Sequence, residues 1–67
     1  MDFIAVLKKI KKGKAYRRNF WRNRYIRYDP SAGQIFNYTI LDNEKGLDLY
    51  HPYPTDLMAN DWEETIY

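Results

Sequence analysis

The stretch Asp2-Phe3-Ile4-Ala5-Val6-Leu7-Lys8-Lys9-Ile10-Lys11-Lys12-Gly13-Lys14-Ala15-Tyr16-Arg17-Arg18 decides the fold, because its hydrophobic period changes part-way along it. Phe3, Val6, Leu7 and Ile10 stand at i, i+3, i+4 and i+7, which places one apolar stripe on one helical face. Asp2 is a natural N-cap, since its carboxylate can accept from the orphan amides of the first turn. Lys8, Lys9, Lys11 and Lys12 crowd the last turn, where the negative end of the helix macrodipole favours cations. Gly13 supplies the left-handed residue that ends such a helix. Beyond it, Lys14–Arg18 alternates with period two and reads as a short strand.

Working outward, Arg24–Tyr28 is a second short strand, rich in aromatic and β-branched residues. Asn19-Phe20-Trp21-Arg22-Asn23 is a bend between the two. Asp29-Pro30-Ser31-Ala32-Gly33 is a turn, with Pro presetting φ and Gly tolerating positive φ. Gln34–Leu41 is the clearest strand: Ile35, Asn37 and Thr39 share one face, and Phe36, Tyr38 and Ile40 share the other. Asp42–Gly46 reads as a turn and Leu47–His51 as a strand. Pro52 and Pro54 bar a central strand. Thr55 or Asp56 can cap one helical turn over Leu57-Met58-Ala59, and Asp61–Tyr67 is expected to rejoin the sheet. The predicted class is α+β: an N-terminal helix on a small antiparallel sheet, with a helical turn before the last strand. A chain of 67 residues makes one domain, residues 1–67.

Charge is distributed unevenly. Residues 1–27 hold ten Lys/Arg and one acid, a net +9, while residues 28–67 hold one Lys and eight acids, a net −7. The overall +2 hides two opposite halves. With no Cys and one His, His51, neither a disulfide nor a thiolate metal site is available, and no metal or cofactor is expected. The run Phe3–Leu7 is far shorter than the roughly 20 apolar residues of a membrane span. A cytoplasmic protein without a membrane partner is expected, and oligomerisation is a reasonable way for so small a domain to enlarge its core.

Catalytic signals are weak. His51 has no neighbouring nucleophile, and the three glycines stand singly at element ends rather than in a phosphate loop. No enzymatic activity is expected. Binding signals are stronger, for Tyr16–Tyr25 interleaves rings with guanidinium groups. Rings offer stacking faces to bases, and arginine offers planar paired donors to phosphate. The same alternation also suits an ordinary core strand with a solvated basic face, and Trp21, where the period breaks, is the discriminating residue.

Two stretches together resemble the Tad2 family, the Thoeris anti-defence 2 proteins of bacteriophages and prophages. One is Phe3-x-x-Val6-Leu7-x-x-Ile10-x-x-Gly13-Lys14 followed by Arg18-x-x-Trp21. The other is Asp56-Leu57-Met58-Ala59-Asn60-Asp61-Trp62-Glu63, similar to the family's closing signature. The middle matches in length and strand character, without the longer insertion of other members. The resemblance implies a non-enzymatic sponge that binds cyclic nucleotide immune signals, either glycocyclic ADP-ribose types or cyclic dinucleotides. It also implies a homo-oligomer, tetramer or dimer, with pockets between subunits. Carried over by motif, Arg18, Trp21, Asp61 and Trp62 are the candidate ligand-binding residues, with Tyr16 and Arg22 added by proximity. Trp21 and Trp62 would stack on a base, Arg18 would meet phosphate or fix the pocket wall, and Asp61 would accept from ribose or base. For Trp62 the alternative is a core or interface tryptophan. The competing functions are a single-stranded nucleic-acid-binding module, disfavoured by the acidic second half, and a structural or regulatory oligomer.

Overall fold

The computed structural model describes residues 1–41 and 44–66. The elements run α1 (Phe3–Ile10), β1 (Ala15–Arg18), β2 (Arg24–Asp29), β3 (Gln34–Leu41), β4 (Glu44–Leu49), α2 (Pro54–Met58) and β5 (Trp62–Thr65). This is the α+β arrangement expected from the sequence. Asp2 caps α1, its Oδ1 accepting from the Ala5 amide at 2.9 Å. Gly13 follows with φ +89°, a backbone conformation that costs an L-residue about 1–2 kcal/mol.

The five strands form one antiparallel sheet in the order β4-β3-β2-β1-β5. β1 to β4 form a meander. The chain then leaves the β4 edge, crosses through α2, and adds β5 beside β1, with Arg18 opposite Trp62 and Tyr16 opposite Glu64. The crossing lies on the same side as α1, because Tyr50 joins the core that α1 covers. That core consists of Phe3, Val6 and Ile10 from the helix, packed with Tyr16, Trp21, Ile26, Tyr50 and Trp62.

Three local expectations change. β4 begins at Glu44, not Leu47, so Gly46 is a strand residue opposite Thr39; cross-strand pairing with β3 overrides the turn-like composition. Asp42 and Asn43 of the expected turn lie outside the described residues. The second helix starts at Pro54, and Asp56 sits inside it, with its carboxylate accepting from the Tyr53 amide at 3.1 Å. Leu7, placed in the apolar stripe by its spacing, is 43% exposed at the edge of the helix.

Strand alternation gives the sheet a second face. Tyr25 and Tyr38 stack across β2 and β3 at 4.9 Å with an interplanar angle of 1°. Phe36 stands opposite Leu49, and Tyr38 opposite Leu47, on that same side. No helix of this chain lies over it among the described residues.

Candidate functional site

Arg18, at the end of β1, lies where the two charge halves meet. Its Nη1 donates to Asp56 Oδ1 at 2.9 Å, its Nη2 donates to Asp61 Oδ2 at 3.3 Å, and its Nε donates to Asp61 Oδ1. Asp56 is the hub of this cluster and is only 4% exposed. Its Oδ2 accepts from the Tyr50 hydroxyl at 3.0 Å and from the Tyr53 amide, while its backbone carbonyl accepts from Trp62 Nε1 at 3.0 Å. Buried carboxylates need this many partners, because an unpaired charge in a low-dielectric interior is very costly. Outside this cluster, Arg17 pairs with Glu63 at 2.8 Å and Lys14 with Glu64 at 3.8 Å. All of these pairs join the basic half to the acidic half within one protomer.

The aromatic residues continue the cluster. Trp62 packs against Phe3 at 5.4 Å and receives Trp21 edge-on at 5.2 Å and 81°. The Arg24 guanidinium lies 4.0 Å from the centroid of the Trp21 ring, where the negative face of the π-system attracts it. Arg24 Nε in turn donates to Asn37 Oδ1 at 2.7 Å. Phe20, 58% exposed, carries the Arg18 guanidinium 4.8 Å from its ring centroid.

The structure thus brings together four sequence-selected residues: Arg18, Trp21, Asp61 and Trp62. It turns all of them inward except Asp61, whose carboxylate stays half-buried. Trp62 is 2% exposed and Tyr16 is fully buried, so neither offers a ring face to a ligand on the protomer. Trp21 is nearly buried as well, with Arg24 over its ring. Arg18 has its donors committed to two carboxylates. Arg22 is exposed and makes no ion pair among the described residues. The residues that sequence reading missed are Asp56 as the hub, Tyr50 as its hydroxyl donor, and the Arg24–Asn37 pair. Asp56 stood in the quoted C-terminal motif, but only its capping role was visible from local sequence. Tyr50 and Asn37 carried no local signal.

The electrostatics make a testable pH profile. The Arg18 hydrogen bond holds the Asp61 carboxyl below its ordinary value, and Ser31 does the same for Asp29. A carboxyl lowered by folding stabilises the fold above about pH 4, and that contribution is lost as pH falls through the folded value. Burial, then the Asp56 charge, raises the Tyr50 hydroxyl; burial, then Glu64, raises that of Tyr16. A tyrosine raised by folding stabilises the fold below about pH 10, and that contribution is lost as pH rises further. The urea midpoint is therefore expected to be level near neutrality and to fall on both sides. Asp61→Asn should flatten part of the acid limb, and Tyr50→Phe part of the alkaline limb. An acid limb identical in Asp61→Asn would remove Asp61 from this account.

Residues 1–65 match the model of the Thoeris anti-defense 2-like domain, the Tad2-like family. The chain belongs to the Tad2-like family. The match covers both quoted motifs and the strands between them, and it assigns the Tad2-like domain to Thoeris anti-defence. No curated protein and no solved structure matches the chain. No helix among the described residues is long and apolar enough to cross a membrane. No group of three or more metal-ligating side chains occurs among them either.

Proposed function

We propose that this Tad2-like domain is a phage or prophage anti-defence sponge. It binds a cyclic nucleotide immune signal, a glycocyclic ADP-ribose type or a cyclic dinucleotide, and withholds it uncleaved in the host cytoplasm. The observation that carries this reading is the family match over residues 1–65. Sequestration needs binding without turnover, and the ionisable cluster around Arg18 suits that: its charges neutralise one another instead of facing an open cavity.

The reading includes a homo-oligomer. The second face of the sheet supports it, since Leu47 and Leu49 are 57% and 42% exposed beside the half-buried Phe36, Tyr38 and Ile40. A contiguous exposed apolar surface of this kind marks an interaction site, and a second copy would bury it sheet against sheet.

The test combines three measurements. Light scattering after size exclusion is expected to give a dimer or tetramer, and Leu47→Glu to shift it towards monomer. A thermal-shift screen of cyclic dinucleotides and cyclic ADP-ribose derivatives is expected to raise Tm for a specific compound, since a ligand bound only to the native state stabilises it. Heating the complex should then release that compound intact. Recovery of a cleaved product would replace the sponge with an enzyme. A length-dependent preference for single-stranded oligonucleotides with a steep salt dependence would favour the nucleic-acid module.

A further inference from the structure

A cleft of about 510 Å³ opens between the edge of α1 and the strand residues Tyr28 of β2 and Ile35 of β3. That volume lies within the range of about 300–1,000 Å³ usual for small-molecule sites. One wall is the helix edge at Phe3, Leu7 and Lys11. Tyr28 and Ile35 of the sheet line it as well, together with Tyr50 after β4. Gln34 closes the end beside the β2–β3 turn.

Three features give this cleft a ligand chemistry. Tyr28, half-buried, puts an aromatic ring beside an apolar space bordered by Leu7 and Ile35 and backed by the buried Phe3 and Tyr50, which suits a planar ring system. The Lys11 ammonium, the Gln34 side-chain amide and the Tyr28 hydroxyl are polar groups at its border, and none of these three groups has a hydrogen-bond or ion-pair partner among the described residues. A mostly apolar pocket with a few convergent polar groups is the usual form of a small-molecule site. Finally, Lys11 brings a positive charge, and no residue lining the cleft is acidic. A cation without an opposing carboxylate selects an anion.

We infer that the cleft between α1 and the β2–β3 end of the sheet is a nucleotide site, with a base against Tyr28 and the phosphate on Lys11. This inference rests on the sequestration reading and assigns its ligand to a different place from the Arg18–Trp62 cluster. That cluster is filled by its own side chains, whereas the cleft is open. In this arrangement Gln34 and the Tyr28 hydroxyl read the edge of the base or sugar.

The experiment is a backbone amide NMR titration of the full chain with two probes, 3′,5′-cyclic diadenylate and ADP-ribose. It is repeated on Lys11→Glu, Gln34→Ala and, as an equal charge change outside the cleft, Lys12→Glu. These three side chains are exposed, and each variant is checked for an unchanged melting curve. The expected result is shifts centred on Leu7, Lys11, Tyr28, Gln34 and Ile35, with affinity at least tenfold weaker in Lys11→Glu and near wild type in Lys12→Glu. Binding whose shifts centre on residues 19–24, with Lys11→Glu unaffected, would overturn the cleft and leave sequestration standing. Equal losses in Lys11→Glu and Lys12→Glu would reduce the effect to general charge and overturn the site. If neither probe moves any resonance, the cleft and the sequestration of these nucleotide classes fall together.

Discussion

Asp56→Ala is expected to remove about half or more of the domain's stability. The substitution strips Arg18 of a buried partner and orphans the Tyr50 hydroxyl and the Tyr53 amide in one step. Breaking a buried ion pair by removing one side costs about 3–5 kcal/mol. At the usual 0.05–0.15 kcal/mol per residue, a chain of this length has a total stability of only about 3–10 kcal/mol. Asp56→Asn keeps an acceptor for the hydroxyl and the amide while losing the charge, so it should cost less, about 1–3 kcal/mol. Urea titration followed by circular dichroism gives both values. A midpoint for Asp56→Ala equal to wild type would show that Arg18 is held by Asp61 alone and that Asp56 is not the hub.

Trp62→Ala should be comparably severe, at about 3–5 kcal/mol for a large aromatic side chain removed from a packed core. The ring is 2% exposed, touches Phe3 and Trp21, and ties β5 to the crossing segment through its Nε1 bond to the Asp56 carbonyl. Trp62→Phe keeps much of the apolar volume and loses the bond, so it is expected to fold with a lower Tm. That milder variant separates two roles. If Trp62 is core, Trp62→Phe binds nucleotide like wild type once its stability loss is allowed for. A tenfold loss of affinity in a folded Trp62→Phe protein would return the ring to the ligand site.

These two residues show how far the sequence could be read. The C-terminal motif containing Asp56, Asp61 and Trp62 was visible, and its pairing with the Arg18-x-x-Trp21 motif was expected on family resemblance. What was not legible is the direction in which those side chains point. β5 joins β1 only because the chain crosses the whole sheet after β4, and that places Trp62 opposite Arg18 across a separation of 44 residues. Local patterning carries no information on such a pairing. Asn37 meets Arg24 only through the pairing of β2 with β3, and Tyr50 meets Asp56, six residues on, only because the irregular chain between β4 and α2 turns the two side chains together. The β4 boundary was misplaced by three residues because Glu44-Lys45-Gly46 has turn composition, which pairing with β3 outweighs.

The charge halves make the division clear. By itself the sequence determined the helix, its Asp2 cap and Gly13 stop, the alternating strands, the α+β class and the +9 and −7 halves. These follow from periodicity and local backbone preference, which act over a few residues. The tertiary structure alone decided that Arg17 and Arg18 spend their charge on Glu63, Asp56 and Asp61, that the tryptophans close the core, and that Lys11 and the β2–β3 end border an open cleft. Those outcomes depend on which strand lies beside which and on how much of the sheet one short helix can cover. Both are properties of packing between distant segments, where a charge is neutralised or left free according to the partner the fold puts within reach.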